Sequence, residues 1–222
     1  MFKKVLVAED LDSISIAVIQ VLEDLKIPTI DHVKYCDDGL LKIKRALIEN
    51  EPYDLLISDL SFKSDHRDIN LSCGEELIEA ANQVQTNLKK IVFSIEDKSY
   101  RIKSLFYDLG INAYVSKGRN SMTELRKAIE GTFRNEEKIL SSDLSFNFND
   151  KALIEIESYD ISILKLLSQG YILENISSEF KASSITPNGT SSIEKRINKL
   201  KIYFKANNNV HLIAIAKDFG LV

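Results

Sequence analysis

The stretch Asp54-Leu-Leu-Ile-Ser-Asp-Leu60 carries three aliphatics and a serine straight into a carboxylate. Leu55, Leu56 and Ile57 are too few for a buried helix and suit a short buried strand, which leaves Asp59 at its C-terminal end. A carboxylate there is either a surface turn residue or a group held at the mouth of a parallel sheet, where ligands usually sit. One aspartate cannot decide between them. The segments on either side can.

Working outward, apolar runs alternate with amphipathic stretches. Residues 3–8, 29–36, 54–59, 89–94 and 113–117 are expected as strands, and 14–25, 40–48, 75–84, 100–109 and 121–133 as helices. Gly110 follows the fourth helix as a C-terminal glycine should. Five strand–helix units in a row predict an α/β domain with a parallel sheet covered on both faces. Residues 134–151 are polar and without period, which predicts a linker. From 152 to 222 the pattern is helical only, with helices expected at 158–169, 173–180, 192–204 and 210–218.

Composition narrows the function classes. Of the 222 residues 44% are hydrophobic and 28% charged, an ordinary globular balance. No apolar run approaches the ~20 residues of a membrane span. The N-terminal M-F-K-K-V-L-V-A-E-D meets acid too soon for a secretory signal, so a cytoplasmic location is expected. Cys36 and Cys73 have no C-x-x-C spacing and the three histidines are scattered, which argues against structural zinc, haem or a disulfide framework. The net charge of −4 is uneven: residues 151–222 hold nine Lys/Arg against seven Asp/Glu, and the first 150 hold 20 against 26. Such asymmetry predicts different partners for the two parts.

In a parallel sheet the ends of the first, third, fourth and fifth strands would gather Glu9, Asp10, Asp59, Ser94 and Lys117 on one edge. Three carboxylates together repel one another unless a cation joins them, and oxygen ligands of this kind suit Mg²⁺. A hydroxyl and an ammonium opposite would hold an oxyanion. The motifs V-L-V-A-E-D, D-L-L-I-S-D-L, I-V-F-S and A-Y-V-S-K-G, in this order, resemble the receiver domain of two-component response regulators over residues 1–133. The resemblance implies a five-stranded, flavodoxin-like receiver in which Asp59 accepts a phosphoryl group from a histidine kinase. It also implies Mg²⁺ held by Glu9, Asp10, Asp59 and the backbone carbonyl of Ser61, with Ser94 as switch hydroxyl, Lys117 on the phosphoryl group and Tyr114 as aromatic switch. Three departures stand out. Lys63 replaces the usual proline four residues after the acceptor, the loop from Leu60 to Gly74 is longer than the common form, and Ile95 takes the place of a small residue. The bulk of Ile95 is expected to crowd the site.

The C-terminal part resembles the helix-turn-helix domain of the NarL/LuxR group, through L-K-L-L-S-Q-G, a short helix with Ile176 and the terminal V-H-L-I-A-I-A-K-D-F-G-L-V. The family's T-x-R-E opening is absent; residues 156–160 read I-E-S-Y-D. Between residues 181 and 205 there are six Lys/Arg and a single acid, Glu194. Ile193, Ile197 and Leu200 share one helix face, so Lys195, Arg196 and Lys199 are expected to face a groove of double-stranded DNA, with Thr190, Ser191 and Ser192 on phosphates. The whole then reads as a DNA-binding regulator, not an enzyme, acting as a homodimer. Two rivals remain: a signalling adaptor with a protein-binding tail, and a haloacid-dehalogenase-like Mg²⁺ phosphatase using Asp10 of Asp10-Leu11-Asp12.

Overall fold

Lys4-Val-Leu-Val-Ala8 forms strand β1 because every second residue finds a different apolar face: Val5 and Val7 join one core, Leu6 and Ala8 the other. The computed structural model describes residues 1–63, 69–136, 138–144 and 156–222, with residues 99 and 100 by backbone alone. The chain divides into two compact units, one carrying the sheet and the other the C-terminal helices.

After β1 the first unit runs α1 (Asp12–Asp24), β2 (Thr29–Val33), α2 (Cys36–Ile48), β3 (Leu55–Ser58), α3 (Gly74–Val84), β4 (Lys89–Ser94), α4 (Ser99–Tyr107), β5 (Ala113–Ser116), α5 (Ser121–Phe133) and β6 (Ile139–Leu140). The strands pair in parallel in the order β2-β1-β3-β4-β5-β6. On one face Val5, Val7, Leu55, Ile57, Ile91, Phe93, Ala113 and Val115 pack with Val18, Leu22, Leu125 and Ile129 of α1 and α5. The alternation sends Leu6, Leu56, Val92 and Tyr114 to the opposite face, where all four are buried. Burying a Leu or Val this fully contributes about 1.5–3 kcal/mol, which is why short strands with almost no polar alternation hold here.

The sheet has six strands, not the five expected from the sequence. The stretch expected as a linker, 134–151, contains β6, whose Ile139 N–H donates to the Asn112 carbonyl and whose neighbour Ser141 N–H donates to the Tyr114 carbonyl, both at 3.1 Å. Ile139 also packs against the α1–α5 core. Two residues of strand are too short for any period to show. The rest of the expected linker and the boundary at 151–152 lie outside the described residues.

The long loop after β3 is pinned at its base. Ser61 and Cys73 form an antiparallel bridge, and the Gly74 N–H donates to the Leu60 carbonyl at 3.0 Å. Residues 64–68 of this loop lie outside the described residues.

The second unit contains α6 (Ser158–Ser168), α7 (Leu173–Ala182), α8 (Thr190–Tyr203) and α9 (Asn209–Asp218). Gly170, with φ +86°, allows the chain to reverse after α6 as a side chain would not. Ile163, Leu164, Ile176, Phe180, Ile193, Ile197, Leu200 and Leu212 form its core. The long turn between α7 and α8 is held by two side chains: the Tyr159 hydroxyl donates to the Pro187 carbonyl and the Ser177 hydroxyl to that of Asn188, each at 2.6 Å. No helix among the described residues is long and apolar enough to cross a membrane.

Candidate functional site

β1 has β2 on one side and β3 on the other, so chain connections leave it in opposite directions and a crevice opens beyond its C-terminal end. Glu9 and Asp10 follow β1 directly, and Asp59 follows β3. One carboxylate oxygen from each of the three lies within 4.8 Å of the others. Glu9 and Asp59 are 2% and 7% exposed, so water does little to relieve their repulsion.

Lys117 supplies the relief. It leaves the end of β5, and its own N–H donates to the Ser94 carbonyl at 2.8 Å, which ties the ends of β4 and β5 together. Its Nζ donates to Asp59 Oδ2 at 2.6 Å and Glu9 Oε2 at 2.7 Å. Burial nevertheless pushes the Glu9 carboxyl above its ordinary value, against the downward pull of Lys117 and the Leu11 N–H. One cation thus shares two buried carboxylates and leaves the third, Asp10, to another donor. That donor is the main-chain N–H of Lys63, 3.0 Å from Asp10 Oδ2.

The structure brings together Glu9, Asp10, Asp59 and Lys117, with Ser94 buried at the adjoining strand end. Ser61 stands two residues past Asp59 in the bridge to Cys73. The Tyr114 ring is fully buried and its hydroxyl donates to the Glu96 carbonyl at 2.6 Å. Burial raises the Tyr114 phenol above its ordinary value, so it stays a neutral donor. Ile95 departs from expectation: it is 73% exposed, so its bulk goes to solvent and does not crowd the site. Asp12 is outside the acid cluster and pairs with Lys34 at 2.5 Å, which separates the two carboxylates a D-x-D nucleophile motif would use together. Burial pushes the Cys36 thiol up to about 12, as suits an inert core residue.

Several groups escaped sequence reasoning. Gly74 approaches Asp59 so closely that a Cβ there would lie 1.8 Å from the Asp59 carbonyl oxygen. His32 Nε2 lies 2.8 Å from the Glu9 carbonyl and buttresses the end of β1. The Leu60 N–H donates to Asp59 Oδ1 at 2.6 Å. Two of the groups that matter here, the amides of Leu60 and Lys63, are main-chain atoms and leave no side-chain signature.

In the helical unit, Thr190, Ser191, Ser192, Lys195 and Lys199 are all exposed along the start and one side of α8. Arg196 is a correction. It was expected in the groove-facing set, but its guanidinium forks onto Asp160, Nε to Oδ1 and Nη2 to Oδ2, the latter at 2.5 Å. Asp160 is fully buried at the start of α6 and accepts the Glu157 N–H at 3.0 Å. Although the T-x-R-E opening is absent, a carboxylate near that place does hold α8.

No protein-family model matches the chain, and no curated protein matches it. Solved structures do match its fold. The RcsB response regulator of Salmonella typhimurium superimposes with a TM-score of 0.66 at 18% identity, covering 96% of this chain and 98% of its own. RcsB from Salmonella enterica serovar Typhimurium, bound to promoter rprA in the presence of the phosphomimetic BeF3−, gives 0.61 at 18% identity, covering 95% and 96%. A structure of two RcsB dimers bound to two parallel DNAs gives 0.56 at 18% identity, covering 96% of each chain. The chain therefore has the fold of RcsB, a parallel α/β unit followed by a small helical one.

Proposed function

We propose that the protein is a response regulator of a two-component system: a histidine kinase phosphorylates Asp59, and the C-terminal helices bind double-stranded DNA as part of a homodimer. The observation that carries this reading is the buried Asp59 at the β3 end, 2.6 Å from Lys117 Nζ and within a carboxylate cluster with Glu9 and Asp10. In the transfer, an Asp59 oxygen forms the new P–O bond as the P–N bond to the donor imidazole breaks, and the electron pair returns to the imidazole. Lys117 moves from the carboxylates to the phosphoryl oxygens, and the Ser94 hydroxyl donates to them from the neighbouring strand. Such a group adds close to two negative charges and three strong acceptors.

The donor set fits Mg²⁺: three carboxylates with one oxygen each within 4.8 Å of the others, all hard oxygen ligands, to which the resemblance to receiver domains adds the Ser61 carbonyl. Bound there, the ion would offset the charge that builds up between the acceptor and the incoming phosphoryl group. Tyr114, buried on β5 beside Val92 of β4 with its hydroxyl on the Glu96 carbonyl, is the residue through which the change would reach the surface.

The DNA reading rests on α8. Its exposed Lys195 and Lys199, beside the exposed hydroxyls at its N-terminus, form a cationic face with the helix dipole's positive end. RcsB, which shares the fold, is seen on DNA as dimers, which supports the same use here.

The test is labelling with acetyl phosphate and Mg²⁺. Wild type should take up phosphate and Asp59→Asn should not. Phosphate recovered on Asp10 would overturn the assignment. Mobility shifts on genomic fragments test the second half, and absence of any shift with or without phosphodonor would turn the tail into a protein-binding adaptor.

A further inference from the structure

Each carboxylate in the cluster gives one oxygen to a main-chain N–H. Glu9 Oε1 accepts from Leu11 at 3.2 Å and Asp59 Oδ1 from Leu60 at 2.6 Å. Both donors lie within two residues of the acid they hold, so they come with the local turn. Asp10 is different. Its Oδ2 accepts from the N–H of Lys63, 53 positions away in the chain, across the crevice from β1 to the loop after β3. The orientation of Asp10 therefore depends on where that loop runs.

The loop is placed by the acceptor itself. Leu60 follows Asp59 directly, its carbonyl takes the Gly74 N–H at 3.0 Å, and Ser61 bridges to Cys73. Gly74 lies so close to the Asp59 carbonyl that no side chain fits. Lys63 stands two residues beyond that bridge, with its amide turned to Asp10. Where receiver domains commonly carry a proline, this chain needs a residue with an N–H.

We propose that the main-chain amide of Lys63 is a positioning group for Asp10, fixing one carboxylate oxygen so that the other is presented to Mg²⁺. The inference rests on the metal reading given above. Donors that orient a metal ligand typically set its affinity by roughly 10–100-fold. The amide, not the lysine ammonium, does this, so the side chain at 63 is free to vary as long as it is not proline.

The test is Mg²⁺ titration of the full chain by calorimetry, comparing wild type, Lys63→Ala and Lys63→Pro. Lys63→Ala keeps the N–H and should bind as wild type does. Lys63→Pro removes it and should bind roughly 10–100-fold more weakly, with an unchanged urea midpoint in EDTA. A third variant replaces Lys63 by its α-hydroxy analogue, turning the amide into an ester that lacks only the N–H; it should match Lys63→Pro even if the proline ring disturbs the loop. Wild-type affinity in the ester variant overturns the proposal, as does an equal loss in Lys63→Ala. Absence of Mg²⁺ binding by wild type overturns the metal reading itself, and the positioning role with it.

Discussion

Truncating Arg196 separates two accounts of helix α8. If the residue faced DNA, Arg196→Ala would weaken DNA binding and leave folding alone. The structure places its guanidinium on the fully buried Asp160, with its own side chain only 22% exposed. Removing one partner of such a pair leaves a buried carboxylate whose remaining hydrogen bond among the described residues is the one from the Glu157 N–H. The cost is about 3–5 kcal/mol, and the low end suits a pair that water still reaches on one side. A helical unit of this size has a total stability of roughly 3–10 kcal/mol at 0.05–0.15 kcal/mol per residue. The loss is therefore a large share of the whole. In urea, followed by far-ultraviolet circular dichroism on the full chain, the helical transition should move down by about 1–3 M, while the sheet unit's transition stays. Lys195→Ala, on an exposed side chain, should shift it by less than about 0.5 kcal/mol. Replacing both Asp160 and Arg196 by apolar residues should recover much of the loss, because no charge is then stranded. An Arg196→Ala protein with the wild-type midpoint and weakened DNA binding would refute this reasoning and return Arg196 to the groove.

Gly74→Ala should destabilise the sheet unit by about 1–3 kcal/mol and slow Asp59 phosphorylation, since a Cβ meets the Asp59 carbonyl at 1.8 Å; denaturation and phosphate uptake measure both. Glu9, raised by burial, favours its protonated form in the fold, so its contribution to stability is full below the ordinary value of 4.5 and is lost as pH rises through the raised one. Glu9→Gln should accordingly gain on wild type in urea midpoint as pH is raised from 4 to 7, and a pH-independent difference would count against the buried charge. Ser141→Ala removes the acceptor of the Ser116 N–H at 3.0 Å, which should cost about 1 kcal/mol and speed amide exchange at Ser116 and across β6. Unchanged exchange there would mean that β6 is held by Ile139 packing alone.

Which parts of this were legible in the sequence follows from length scale. Leu55-Leu-Ile57 and its counterparts in β1, β4 and β5 announced strands because each sets apolar residues side by side between polar ones, while β2 offered only Ile30 and Val33, and the five helices carried a clear apolar stripe. Ile139–Leu140 could not announce itself: two residues carry no period, and its hydrogen bonds exist only because β5 already presents an open edge. Arg196 failed for a related reason. The helical wheel sets Arg196 on the flank of the Ile193, Ile197 and Leu200 face, about 60° from Ile193, but the wheel says nothing of a carboxylate arriving from α6 to cover that side.

The same distinction explains why Asp59 and its cluster could be picked out from the sequence while the group bonded to Asp10 could not. Asp59, Glu9, Asp10, Ser94 and Lys117 bear chemistry in their side chains and fall at strand ends, so a parallel sheet gathers them whatever the loops do. Asp10 is then turned by an atom that every residue but proline possesses, at a place decided by the closure of Gly74 on Asp59. Here the informative letter was an absence, the missing proline at 63, and it gains meaning only once the loop is seen to cross the crevice. A departure from a family pattern is thus best read by asking which atom the usual residue would have lacked. At position 63 that atom is an N–H, and the carboxylate that takes it is Asp10.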